Sequence, residues 1–433
     1  MDCMAKVGLV KAMGVLFQDV SRDLQMDSTD FGIALGLLLS VGSIASPIVI
    51  ALYNRCPHPR LFMLLGAVMS PCCIILASFT NTKAVLQVGF TVSGLGHSMV
   101  RMPCLVALNR LAGDNFNIFY SLASCGHALG MVFYPFMAEE LLTAYGWRGA
   151  LVILAGLMFH EVPCLMTIQM PSKDIPSKDG EGLRDSDRDK LLAPLVEEPE
   201  NESDIPIDKS RNAVHGHSPL SSIADVTQIL LKWFRSTMIY LDPISLFIFL
   251  SHTSMVFVYS GWLSFLVPHA LQRELSSHNI ILLTFCAAVG SISARVSVGF
   301  LTHRLIRPID MVLILSIMNT VVMVTDVYIP NLIVMLISSF CSSVSFAGRG
   351  TLGHLVIKAR VSADHLAMSL AFLEVVAGSA VYFSGFIAGF TADTFSSYDA
   401  SFKLLAIVDV FTFFLMLPVK IVKRRETSSC ELK

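Results

Sequence analysis

The stretch CAAVGSISARVSVGFL, Cys286–Leu301, decides the fold class. It is apolar and rich in small residues, yet one permanent charge, Arg295, sits in its middle. Extended back to residue 279, the run reaches the ~20 residues that cross a hydrocarbon core of about 30 Å as a helix. Similar runs recur along most of the chain. The 433 residues are 54% hydrophobic and 15% charged, with a mean hydropathy of +0.66, whereas about a quarter of a soluble domain is charged. The chain therefore reads as an all-α polytopic membrane protein. A net charge of −2 gives no reason to expect nucleic acid as a partner. No phosphate-binding loop of the G-x-x-x-x-G-K-[ST] type occurs, so nothing points to ATP. Neither a C-x-x-C pair nor a complete H-E-x-x-H occurs, so no metal, cofactor or enzyme chemistry is expected.

Twelve spans are expected, at about 1–20, 31–53, 61–79, 84–108, 116–138, 149–169, 243–267, 279–301, 310–328, 331–357, 366–391 and 401–421. Between the sixth and seventh, the stretch from Pro171 to Leu220 holds 12 Asp/Glu against 7 Lys/Arg and is rich in Ser and Pro, a composition that does not bury a core. The expected organisation is a first six-helix half (1–170), a disordered acidic linker (171–242), a second six-helix half (243–421) and a tail (422–433). Just before span seven, Ile223, Val226, Leu230 and Trp233 share a helical face. That pattern fits an interfacial amphipathic helix or an ordinary lead-in equally well. One set of short loops holds Arg55, Arg60, Arg110, Arg304, Arg307, Lys358 and Arg360, together with the tail KIVKRRE. The other holds mainly acids, among them Asp19, Asp23, Asp27, Asp30, Glu139, Glu140, Asp393 and Asp399. The basic side is expected to be cytoplasmic, with both termini and the linker inside, so the Asn201 glycosylation sequon would go unused. Six spans, a linker and six spans is the major facilitator arrangement, two similar halves around a central site. Spans four and ten are counterparts under that repeat. Each carries an arginine, Arg101 or Arg349, followed nine residues later by a basic residue, Arg110 or Lys358.

An arginine facing lipid at a helix centre costs about 2.5–3.5 kcal/mol, and three cost roughly 8–10 kcal/mol. Arg101, Arg295 and Arg349 are therefore expected to face a watery cavity or counter-charges. The acids available within spans are few: Glu374, Glu161 and Asp409. An excess of positive charge suits an anion, and the planar guanidinium suits a carboxylate. Each arginine has an alternative reading as a structural partner between helices, and Lys11 as a chain reaching towards an interface. Ser291 lies one turn before Arg295 on the same face. His97, His127 and His252 read as interhelical hydrogen-bonding groups, and Gly32 and Gly36 as a close-packing face.

The segments KAMGVLFQDV (11–20), NRCPHPR after span two, GWRGALVILAGL (146–157) and ARVSVG (294–299) resemble the monocarboxylate transporter family over both halves. The resemblance implies the major facilitator fold with 12 transmembrane helices. It also implies a small organic carboxylate as substrate, in some members moved together with a proton. In proton-coupled members a lysine in span one and an Asp–Arg pair in span eight carry substrate and proton. Lys11 and Arg295 match the lysine and the arginine, and Ser291 stands at the aspartate position. A serine does not exchange protons near neutral pH, which puts the usual coupling route in doubt and leaves Lys11 or Glu374 as substitutes. The family's acidic, glycine- and tryptophan-rich signature ahead of span one is missing. Met1–Phe17 would rise only about 26 Å as a helix, so a shortened first span is expected. The basic signature leading into span five is degraded as well. The expected function is secondary transport of small organic monocarboxylates across the plasma membrane by alternating access, through facilitated diffusion or proton symport. Arg295 and Lys11 would bind substrate, with Ser291, Arg101 and Arg349 around them. The competing expectation is a non-transporting sensor or scaffold. Some relatives need a single-span immunoglobulin-type glycoprotein, which makes such a partner an expectation here too.

Overall fold

The structure is a computed structural model that describes residues 2–112, 116–167, 243–304, 306–358 and 363–431. All regular structure among them is helical. In the first half α1 is Asp2–Leu24, α2 Ser28–Ile44, α3 Ser46–Arg55, α4 Pro59–Ser78, α5 Lys83–Ala112, α6 Phe116–Met158 and α7 Glu161–Met166. In the second half α8 is Pro243–Gln272, α9 Ser277–Arg304, α10 Pro308–Tyr328, α11 Leu332–Lys358, α12 Ala363–Phe395 and α13 Tyr398–Glu431. The acidic linker, the amphipathic stretch at 223–233 and Asn201 lie outside the described residues, as do the side chains of Arg110 and Lys358.

Among the described residues eight helices are long and apolar enough to span a membrane, and α2 and α3, bent by 47° at their junction, make a ninth if the pair counts as one span. Pro47 sits in the first turn of α3, where its missing N–H and fixed φ suit a helix start. One of the eight, Leu122–Met166, is two expected spans. It breaks at Gly146, whose φ of 68° belongs to the left-handed region that a side chain disfavours. The remaining expected spans are α1 and α5. The first helix is not short: 23 residues rise about 34 Å, because the polar residues Ser21–Asp23 continue it beyond the apolar run.

Within the first half α1 packs on α6, and α5 packs on α2 and α4; within the second α9 packs on α11, and α13 on α8 and α10. The halves meet chiefly along two helix pairs, α2 with α12 and α6 with α9, supplemented by α1 against α8. In span numbers these are two with eleven and five with eight. A 1–6/7–12 repeat turns each of those pairs into the other. The α2–α12 pair is close because Gly32 faces Gly385 backbone to backbone, and any Cβ on either would collide with the other's carbonyl. The expected packing face of Gly32 and Gly36 is thus an interface between the halves.

Candidate functional site

Lys11 and Arg295 reach the interior from opposite halves. Lys11, on α1, is fully buried, and its Nζ has no hydrogen-bond partner. It lies 4.7 Å from the ring centroid of Trp262 on α8, a cation–π contact that supports the charge without neutralising it. Arg295, on α9, is part-buried, its Nε is unpartnered, and it makes no ion pair among the described residues. Its charge acts on His127 of α6 and on Tyr259 of α8. Ser291, one turn earlier, is buried and adds a hydroxyl to that face. Lys11 and Arg295 thus each bring a cation from one half towards α8, the first against the ring of Trp262 and the second near Tyr259.

Arg349 does not belong to this group. Its Nη1 donates to Asp409 at 2.6 Å, and Asp409 also accepts from Asn319 Nδ2 at 2.8 Å. The whole cluster is buried between α10, α11 and α13 within the second half. Its role is the structural pairing that the sequence left open, and the expectation that it shapes a substrate field has no support in this geometry. Arg101 takes a third position. It faces Glu374 of α12 at 3.7 Å, an ion pair between the halves with both side chains about one-third exposed. Glu374, expected as a substitute proton carrier, is thereby held beside Arg101 and acts on Lys6.

The histidines divide. His97 bonds Asp2 of α1 at 2.7 Å, an interhelical bond as expected, and the ring of His252 packs against Gly353 of α11. His127 bonds the Ser124 carbonyl of its own helix at 3.0 Å and feels the charge of Arg295 on α9.

Ring contacts and a helix cap join the two halves at the acid-rich edge. Phe31 of the first half meets Phe265 of the second and Phe17 meets Tyr398, with ring centroids 6.3 and 6.5 Å apart. Asp393 of α12 caps the N-terminus of α2, accepting from the backbone N–H of Ser28 at 2.9 Å and of Thr29 at 2.6 Å. Sequence reasoning missed Asp393 and Trp262. One of 28 phenylalanines or three tryptophans carries no local mark of a central position, and the helix that Asp393 caps is in the other half. The GWRG segment has a clear physical role. Gly146 turns the chain, and Trp147 Nε1 and Arg148 Nη2 both donate to Asp23, at 3.1 and 2.8 Å.

Comparison with known proteins fits this geometry. The profile of the Major Facilitator Superfamily matches residues 7–325. Monocarboxylate transporter 11 of Homo sapiens is 24% identical over 298 residues, which cover 69% of this chain and 53% of that one. Monocarboxylate transporter 12 of Mus musculus is 24% identical over 374 residues, 84% of this chain and 72% of that one. The chain thus spans about half the length of the human relative. Among solved structures, a bacterial homolog of the human lysosomal transporter Spinster, inward-facing and unoccupied, superposes with a TM-score of 0.65 over 97% of this chain and 92% of that one, at 12% identity. The nucleoside transporter NupG superposes with 0.62 over 96% and 98%, also at 12% identity.

Proposed function

Because the chain belongs to the Major Facilitator Superfamily, we propose that it moves small organic monocarboxylates across the plasma membrane by alternating access. One observation carries this reading. Among the described residues Lys11 and Arg295, from opposite halves, have no carboxylate partner, while Arg349 and Arg101 each have one. A substrate carboxylate supplies the missing partner, and only the planar fork of Arg295 offers it two parallel hydrogen bonds. Lys11 adds charge from the other half, and Trp262 and Tyr259 offer apolar faces for the rest of the molecule. Ser291 does not ionise near neutral pH as a carboxylate does, which favours facilitated diffusion over proton symport. The basic edge is cytoplasmic in this reading, with both termini inside. The acid-rich edge then faces outward and is closed, and opening it requires parting Asp393 from α2 and Tyr398 from Phe17 and Ser28.

The test is uptake of labelled short monocarboxylates into proteoliposomes, with and without an inward proton gradient. Saturable uptake indifferent to the gradient is expected, and Arg295→Gln abolishes it while the protein stays folded and inserted. Normal uptake by Arg295→Gln would sink the site.

A further inference from the structure

Three side chains outside the anion site meet at the other end of the first half. Asp2 on α1, His97 on α5 and Glu161 on α7 each bring one ligand-type atom to within 4.8 Å of the other two. His97 and Glu161 are 1% and 3% exposed. Asp2 Oδ2, His97 Nε2 and Glu161 Oε1 are buried atoms with no hydrogen-bond partner. Polar atoms are rarely left so in a dry interior; His97 Nε2 points away from the Nδ1 that Asp2 bonds, so a shared ion takes Nδ1 in place of that hydrogen bond and joins it to the free oxygens of Asp2 and Glu161. Besides His97, its hydrogen-bond partner, the cations acting on Asp2 are engaged elsewhere. Lys6 Nζ donates to the Leu39 carbonyl at 3.0 Å, and Arg101 faces Glu374 at 3.7 Å. Neither reaches the unpartnered atoms.

Distance separates a proton from a metal. Asp2 and His97 are hydrogen-bonded at 2.7 Å, but Glu161 Oε1 bonds neither of them although its carboxylate lies within 4.8 Å of both. A shared proton needs its two atoms within about 3.2 Å. Two ligands of one ion, each about 2.0–2.3 Å from it, lie up to roughly 4.5 Å apart. The set of one imidazole and two carboxylates suits a first-row divalent ion such as Zn²⁺ or Mn²⁺.

We propose that Asp2, His97 and Glu161 form a binding site for a divalent transition-metal ion that ties α1, α5 and α7 together. The site goes beyond the transport reading and does not depend on it. It lies next to Arg101, whose ion pair with Glu374 crosses the halves. Ligation needs ionised carboxylates and neutral imidazole, so the affinity falls as pH is lowered.

The experiment uses the purified full chain, stripped with a chelator and offered Zn²⁺ or Mn²⁺, with Mg²⁺ and Ca²⁺ as comparators. Retained metal is read by elemental analysis and stabilisation by the unfolding midpoint. Expected are about one equivalent of Zn²⁺ or Mn²⁺, a raised midpoint, and at least tenfold weaker binding in Glu161→Gln and in His97→Gln. The exposed neighbour variant His160→Gln and the transport variant Arg295→Gln keep the metal, so a failed uptake experiment leaves this one standing. No retained metal and no shift in the unmodified protein overturns the proposal, even if a ligand variant fails to fold. Equal retention in both ligand variants also overturns it, as an adventitious ion only.

Discussion

Each half fastens its acid-rich edge with an arginine, but the two halves put acid and base on exchanged helices. In the first half the acid is Asp23, near the end of α1, and the base is Arg148, just after the break in α6. Arg148 Nη1 also donates to the carbonyls of Ser78 and Thr80 at the end of α4, at 3.1 and 2.7 Å. In the second half the base is Arg273, just past α8, and the acid is Asp399, at the start of α13, 2.8 Å apart. Arg273 also donates to the carbonyls of Asp326 and Val327 at the end of α10, at 2.9 and 3.3 Å. Spans one, three and six thus correspond to seven, nine and twelve, with the charges reversed. What the repeat preserves is a demand: the free carbonyls ending the third helix of each half need a cation. Which helix supplies it is free to change. The corners also differ in depth. Asp23 and Arg148 have side chains 47% and 33% exposed, whereas Arg273 is 11% exposed and sits beside the fully buried His269.

Depth separates the two fourth-helix arginines even more sharply, and the largest effect is expected there. Asp409→Ala leaves Arg349 buried with no counter-charge, at a cost of about 3–5 kcal/mol. Glu374→Ala leaves an arginine that water already reaches, at a cost of no more than about 1 kcal/mol. Unfolding midpoints in detergent check both, and equal losses would break the distinction between a structural and an inter-half pair.

That pair of arginines also shows where sequence reading stops. Their matched positions in spans four and ten are visible as spacing, and the repeat they indicate is real. Their partners are not visible, because Asp409 lies 60 residues from Arg349 and is chosen by helix packing. The spans themselves are legible because each is a long apolar run. The end of α1 is not, because Ser21–Asp23 are polar yet still helical. Lys11 and Arg295 stand out because a permanent charge in an apolar run demands a reason. Nothing local tells the unpaired cations from the paired ones. The meeting of Asp2 with His97, 95 residues apart, is equally hidden.

A smaller effect separates the two corners. Asp399→Ala removes the acceptor shared by Arg273 Nη2 and His269 Nε2, both at 2.8 Å. The expected loss is about 1–2 kcal/mol, towards the lower end for charge-assisted hydrogen bonds because Asp399 is partly open to water. Asp23→Ala should lower the midpoint less and lose its effect in high salt. A larger loss at Asp23 would reverse the ranking by depth.

The smallest expected effect tests the exchange itself. If geometry is what the repeat keeps, the first half should accept the polarity of the second. Asp23→Arg alone brings a second cation against Arg148 and should destabilise. Adding Arg148→Asp should recover most of that loss, since the new arginine stands where Arg273 does, at the end of the half's first helix and near the same kind of carbonyls. Acid titration sharpens the comparison. Hydrogen bonds from Arg148 and then Trp147 hold the Asp23 carboxyl below its usual value. The corner's stabilisation is therefore complete above the unfolded carboxyl's pKa, and it fades below about pH 4 as the folded group takes up its proton. The exchanged pair loses the Trp147 bond, so its acid midpoint should lie higher. A double variant that recovers nothing would mean that Trp147, through its bond to Asp23, fixes the polarity of this corner.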